Sequence, residues 1–328
     1  MPREMTHWLV AEKVAARLPA GSFYGEAARL FEAERALGAV LHDALFYAPK
    51  EAQAYAFVAD RLHGEGGEDT LAVIRGLHAA VRQLFDARSP RSGPCAALLV
   101  GLVSHLFADV TFHPLVYYHT GLPLPNGKLP PAAATCHRRL ETLIDFYLVG
   151  PTQVATRSLA AYLRATQPRL AELLRLFAQA AAPTEDPEAL ARALEASLGR
   201  FSQAQTLFRC AGLMRAARTA RKVLPWSARE VIALGYAPAC QAEMLRLAED
   251  IEYLHPATGE PCRGSLRGLT EVAADRAAQA ILRVEQALVR KRKGNDPFPE
   301  HGPTLVAGLP DVPAAALKHV AQSPLVSC

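Results

Sequence analysis

Two short stretches carry the same stripe of metal-binding side chains, and together they restrict the fold more than any other feature. His105, Asp109 and His113 stand at i, i+4 and i+8 in SHLFADVTFHP, and His137, Glu141 and Asp145 repeat that spacing in CHRRLETLID. A four-residue step on an α-helix turns the side chain by only about 40°, so each triplet lines one face over about two turns. The first stripe sits in a markedly apolar run, AALLVGLVSHLFADVTF, which offers no solvated face. A single HxxxD pair is usually an exposed ion pair; two triplets of this spacing rarely are. Helices packed stripe to stripe enclose imidazoles and carboxylates that only bound cations compensate. The expectation is a multinuclear metal site in a helical protein, and a hydrolase.

Composition agrees with helices. Ala and Leu dominate, 50% of the 328 residues are hydrophobic, only 7% are aromatic, and β-branched runs are scarce. The 36 basic and 32 acidic residues leave a net charge of +4, too small an excess for an obligatory nucleic-acid partner. Cys95, Cys136, Cys210, Cys240, Cys262 and Cys328 are dispersed without a CxxC spacing. That suggests a reduced setting and reads Cys136 as a buried thiol. The start MPREMTHWLV has no signal-peptide core, and the apolar stretch from Ala96 to Val103 is too short to span a bilayer. A soluble, cytoplasmic protein is expected.

Periodicity predicts helices near residues 5–18 with Thr6 as cap, 25–46 or split at Gly38, 51–62, 70–85, 95–113 limited by Pro114, and 133–149. Further helices are predicted over 151–179, 187–220, 228–234, 239–253 and 265–291, with no strand-rich region. Glycines in LGAVLHD and GLVSHLF mark close helix approach. The loop TGLPLPNGKLPP lies between the two stripes, as a rim or lid. From Gly294 onward there are six prolines in 35 residues. The expected organisation is one helical domain over 1–293 and a Pro-rich extended tail over 294–328. The run Arg290 to Lys293 complements a helix C-terminus, with attraction to a membrane surface as the alternative.

Other donors stand upstream: His7 in THW, Asp43 ending LGAVLHD and His63 closing RLHG. Each alone reads as a surface or core residue; with the stripes they suit zinc without any sulfur ligand. His78 and His119 have no partners in the stripes and receive no role.

The segments THWLVAEKVA, LGAVLHDALFY, DRLHG, GLVSHLFADVTFHP, HRRLETLID and, more weakly, EYLHPATGE follow one another in an order that resembles the zinc-dependent phospholipase C family. That family includes the N-terminal domain of glycosylphosphatidylinositol-specific phospholipase D and is related to P1-type nucleases. The resemblance implies an all-α bundle holding two or three zinc ions deep between helices. It implies cleavage of phosphodiesters, mostly on the glycerol side of phospholipid head groups, by a metal-activated water. By position, the implied ligands are His7, Asp43, His63, His105, Asp109, His113, His137 and Glu141. Asp109 would bridge two ions, Asp43 would double as general base or water orienter, and Asp145 would orient a ligand.

Two positions depart from the family. Its secreted bacterial members use the amine and carbonyl of a mature N-terminal tryptophan as ligands. No tryptophan precedes His7 here, so water or another side chain is expected instead. His42 stands where the family usually has proline and is a candidate extra donor. Arg138 and Arg139 flank the second stripe and read as a solvated face, or as a phosphate contact. Expected partners are a phospholipid or another phosphodiester, with transient membrane-surface contact. The alternatives are a phosphoesterase or nuclease acting on soluble phosphates, and a helical metal-binding protein without catalysis. They differ in which substrate, if any, turns over.

Overall fold

A computed structural model describes residues 3–124, 127–220, 223–236, 241–289 and 297–326. Cys240, Cys328 and the basic run at 290–293 lie outside the described residues. The chain opens with α1 (Glu4–Arg17), α2 (Phe23–Leu30), α3 (Glu32–Gly38) and the single turn α4 (Leu41–Ala44). Two 3₁₀ turns, Leu45–Tyr47 and Lys50–Tyr55, lead into α5 (Ala56–His63) and α6 (Ala72–Asp86). The long α7 (Ser92–Thr120) and α8 (Pro131–Thr156) follow, then α9 (Leu159–Thr166), α10 (Leu170–Ala181), α11 (Pro187–Phe208), α12 (Ala211–Ala220), α13 (Trp226–Ala233) and α14 (Gln241–Ala248). An antiparallel hairpin, β1 (Ile251–Leu254) and β2 (Pro261–Gly264), precedes α15 (Leu266–Val289). Among the described residues the fold is all-α apart from this hairpin.

Helix α7 is the axis, packed against α1, α2, α3, α6, α8 and α15. Every residue from Cys95 to Leu106 is buried, and each large aliphatic side chain there contributes about 1.5–3 kcal/mol of burial. By length and composition α7 could cross a membrane. Instead, 94% of its most apolar window is buried inside the protein, as in a core helix. Gly38 and Gly101 set its distance from α3. A Cβ on Gly38 would strike the Leu98 carbonyl, and one on Gly101 would strike the Arg35 carbonyl. The backbones therefore touch, which brings the α3–α4 corner onto the His105 turn.

Several elements differ from the sequence expectation. Pro114 does not end α7, which runs on to Thr120. The lost hydrogen bond is outweighed by Phe112, Leu115 and Val116, all fully buried in a second apolar cluster with Leu140, Leu143 and Ile144 of α8. Thr6 does not cap α1; the helix begins at Glu4, and its first turn is capped from another helix, by Asp145 of α8. The helix expected over 239–253 stops at Ala248, and IEYL becomes β1. Tyr and Ile favour the strand, and the turn closes through Gly259 at φ 76 and His255 N–H to Glu260 O at 2.8 Å. Helix α8 is kinked at Gly150, with φ 77 and ψ 167. Cys136 is disulfide-bonded, not a free thiol.

Residues 297–326 contain one 3₁₀ turn, Ala314–Ala316, and no α-helix. They pack closely on the helices all the same. Thr304, Leu305 and Ala307 are fully buried, and Leu305 N–H donates to His63 O at 2.9 Å. Ala314 N–H donates to Glu65 O at 3.0 Å. The prolines exclude a helix, while turn and cross-chain hydrogen bonds satisfy the backbone.

Candidate metal centre

Five helices deliver the expected donors to one place. His7 comes from the second turn of α1, Asp43 from α4, and His63 from the last residue of α5. His105, Asp109 and His113 come from one face of α7, and His137 and Glu141 from α8. All eight are buried. They form three donor groups, His7–His105–Asp109, Asp43–His63–His105 and His113–His137–Glu141, each with its ligand atoms within 4.8 Å of one another. The first two groups share His105.

The carboxylates sit between the imidazoles. Asp109 Oδ1 is 3.4 Å from His7 Nε2, while Oδ2 is 3.2 Å from His105 Nε2 and 3.7 Å from His63 Nε2. Asp43 Oδ1 is 3.3 Å from His63 Nε2 and 3.8 Å from His105 Nε2. His137 Nε2 is 2.8 Å from Glu141 Oε1. Two ligands each about 2.1 Å from a tetrahedral zinc lie about 3.4 Å apart, so the spacing around both aspartates matches the edges of such polyhedra. The two oxygens of Asp109 face different histidines, as a bridging carboxylate requires.

Hydrogen bonding on the far side of four of the rings sharpens this picture. Nδ1–H of His63 donates to Ala59 O at 2.7 Å, that of His105 to Ala39 O at 2.9 Å, and that of His113 to Leu305 O at 2.5 Å. His137 Nδ1 lies 3.3 Å from the Thr120 hydroxyl, which itself donates to Val116 O. A ring whose Nδ1 carries the hydrogen presents a lone pair at Nε2. Nε2 of His7, His63, His105 and His113, Oδ1 of Asp43 and both oxygens of Asp109 are buried without a hydrogen-bond partner. Seven orphaned nitrogen and oxygen atoms converging in the interior fit divalent cations and little else.

Burial drives His7 and His113 down to about 3, and lowers His137 well below its ordinary value, so these rings are neutral. Burial also opposes charge on His105, but Asp109 and Asp43 outweigh it and raise this ring to about 9. Asp43 and Asp109 resist burial and stay ionised because the histidines surround them.

Asp145 points away from the donor groups. It accepts from Met5 N–H at 3.1 Å, Thr6 N–H at 2.9 Å and the Thr6 hydroxyl at 2.6 Å, and so caps the N-terminus of α1, one turn ahead of His7. The Tyr236 hydroxyl donates to it at 2.7 Å. His42 belongs to none of the donor groups. It is fully buried and stacks on His105 at 4.4 Å between ring centres, as His7 does on the other face at 3.9 Å. Arg139 is not solvated but buried against Glu243 at 3.2 Å. The hairpin containing EYLHPATGE supplies no donor to the three groups.

The centre opens into a cleft of about 560 Å³. Asp43, His63, His113, His137 and Glu141 form its polar end; Phe46, Tyr117 and Phe201 supply aromatic wall. Gly127, Lys128 and Leu129 of the loop between α7 and α8 edge it, where a rim was expected. Sequence reasoning passed over Arg3 and Glu4, which also line the cleft and pair at 3.3 Å. Glu4 stands three residues before His7, a helical spacing that could have drawn notice. Leu305 and Tyr236 reach the site only through tertiary packing and leave no mark in the sequence.

The sequence pattern of the family described as zinc dependent phospholipase C matches residues 6–179, more than half of the chain and all eight donors. The chain belongs to the zinc-dependent phospholipase C family. No curated protein and no solved structure matches it. The family's all-α architecture is the architecture observed, and its dependence on zinc accords with the three donor groups. The matched span ends within α10, so α11 to α15 and the C-terminal segment are described by this structure alone.

Proposed function

We propose that this chain is a zinc-dependent phosphodiesterase that cleaves phospholipid head groups and uses two or three ions. The observation that carries this reading is the convergence of orphaned imidazole nitrogens and carboxylate oxygens beside one cleft, whose wall includes Asp43, His63 and His113. His7, His105 and Asp109 would hold one ion, Asp43, His63 and His105 or Asp109 a second, and His113, His137 and Glu141 a third. Zinc held there would make a coordinated water acidic and neutralise charge on the phosphate and the leaving alkoxide.

The side chains do the rest. Asp43 is on the cleft wall, where its carboxylate orients the attacking water and accepts its proton. Arg3, Arg138 and Lys128 line the same cleft, but so do Glu4, Asp60, Glu65 and Glu230, so attraction for an anionic phosphodiester rests on the cations that the donor groups would hold. Phe46, Leu129 and Phe201 offer apolar surface to the glycerol side of a lipid. No serine or cysteine nucleophile is called for, so hydrolysis is direct. The bond at Cys136 removes the argument from cysteine spacing for a reduced, cytoplasmic setting.

Metal analysis of protein purified without chelator, followed by assays on p-nitrophenyl phosphocholine, phosphatidylcholine vesicles and single-stranded DNA, tests the reading. Two or more zinc ions per chain with release of phosphocholine are expected. Turnover of DNA alone would replace the lipid substrate with nucleic acid. Full zinc with no turnover on any substrate would leave a metal-binding protein without catalysis, and no zinc at saturating concentration would remove the enzyme altogether.

A further inference from the structure

Helices α12 and α13 form a hairpin beside the cleft whose surface chemistry the metal centre does not use. Its base is tied down: Tyr236 N–H donates to Phe208 O at 2.9 Å, and Met214 packs so closely on Gly235 that a Cβ there would strike its sulfur. Met214, Ala233 and Tyr236 are buried, so the inner side is satisfied. The outer side is not. Leu213, Trp226 and Val231 are 44–46% exposed, and Val223, between the two helices, is 86% exposed. Exposed large apolar side chains gathered on one element mark an interaction surface. The same stretch is strongly basic. From Ala211 to Ala233 there are five Lys and Arg residues and one acid, Glu230, in a chain whose net charge is only +4. Two of the five, Arg221 and Lys222, lie outside the described residues.

The hairpin is also a wall of the cleft. Glu230 and Leu234 line it, and Arg138 on α8 pairs with Glu230 at 3.4 Å. All of this hairpin lies beyond residues 6–179, outside the part of the chain that the family pattern matches.

We propose that the α12–α13 hairpin docks on an anionic phospholipid surface. Leu213, Val223, Trp226 and Val231 enter the boundary between head groups and acyl chains, and Arg215 and Arg218 meet lipid phosphates. The aliphatic side chains decide the class of partner. A nucleic acid would offer stacking to Trp226 and phosphates to the arginines, but no apolar phase for Leu213, Val223 and Val231. Docking rests on the phospholipid reading of the cleft and extends it. The face that holds the bilayer is continuous with the cleft wall, so a head group reaches the metal centre without full extraction of its lipid.

The test is flotation of the full chain with vesicles of phosphatidylcholine alone and of equimolar phosphatidylcholine and phosphatidylserine. Wild type is compared with Val223→Glu and with Leu213→Glu/Val223→Glu, whose folding is checked by thermal melting. These positions are exposed and lie outside the cleft. The expected result is binding to the anionic vesicles that falls roughly tenfold or more in the double variant, with turnover of a monomeric short-chain phosphatidylcholine unchanged. Equal binding by wild type and variants would overturn the proposal while leaving the lipase reading intact. So would displacement of the protein from vesicles by single-stranded DNA at matched phosphate, or a wild-type dimer that the variants split. Wild-type binding that the variants lose, with no lipid turnover by either, would sustain the docking surface and sink the catalytic reading.

Discussion

Without bound metal, His105 keeps its proton up to about pH 9, because Asp109 and Asp43 outweigh the cost of burying the charge, while burial leaves His7 and His113 neutral above about pH 3. The raised value means that proton-linked stability of the metal-free fold is fully present below the ordinary histidine range and is lost as pH rises through 9. Zinc must displace that proton. Uptake at pH 7 is predicted to release about one proton per chain and to weaken as pH falls. Calorimetry in buffers of different ionisation enthalpy measures this, and buffer-independent heats would contradict it. Asp109, which faces three histidines, is the least replaceable donor. Asp109→Asn is predicted to lower turnover by more than about 100-fold and to cost the chain at least one zinc ion while the ion at His113, His137 and Glu141 stays, read by kinetics and metal analysis; full activity would exclude a bridging role. The convergence of these side chains was legible, because imidazoles and carboxylates at i, i+4, i+8 in an apolar helix have no solvent to face and so face one another. Their Nδ1 partners were not, since Ala39, Ala59 and Leu305 contribute backbone carbonyls that any residue type would provide.

Among the elements, the α3–α7 crossing and the cap on α1 fix the site's dimensions. Gly101→Ala would push a methyl group into the Arg35 carbonyl and force the helices apart. A cost of about 1–3 kcal/mol is predicted, seen as a lower urea midpoint, together with weaker zinc binding as α4 withdraws from His105. An unchanged midpoint would show that the contact relaxes freely. Asp145→Ala would strand the Met5 amide and leave the Thr6 amide with only Arg3 O and the Tyr236 hydroxyl with only Glu4 as partner. A loss of about 1–3 kcal/mol is predicted, with a 10–100-fold loss of metal affinity as α1 and His7 shift; normal affinity would confine Asp145 to a structural role. Both glycines were readable as close-approach points. The cap was not, because it joins residues 139 and 140 positions apart in the chain. Pro114 misled for a related reason: local propensity marks a helix end there, and packing against α8 overrides it.

At the scale of the whole molecule, the sequence announced an all-α bundle around a polar centre, whereas the role of the C-terminal segment emerged only from tertiary contacts. Its Leu305 bonds both to His63 and to His113, so the segment read from its prolines as a tail completes the donor shell. Metal held by these donors would therefore be coupled to the fold. Adding zinc to a thousandfold above its dissociation constant is predicted to stabilise the chain by about 4 kcal/mol, and chelation to lower the melting temperature reversibly; an identical melt with and without chelator would uncouple them. The most direct test of the centre itself is anomalous diffraction at the zinc edge from crystals grown with zinc. Peaks are predicted on either side of Asp109 and between His113, His137 and Glu141. Fully occupied zinc elsewhere, with none touching these side chains, would contradict the account.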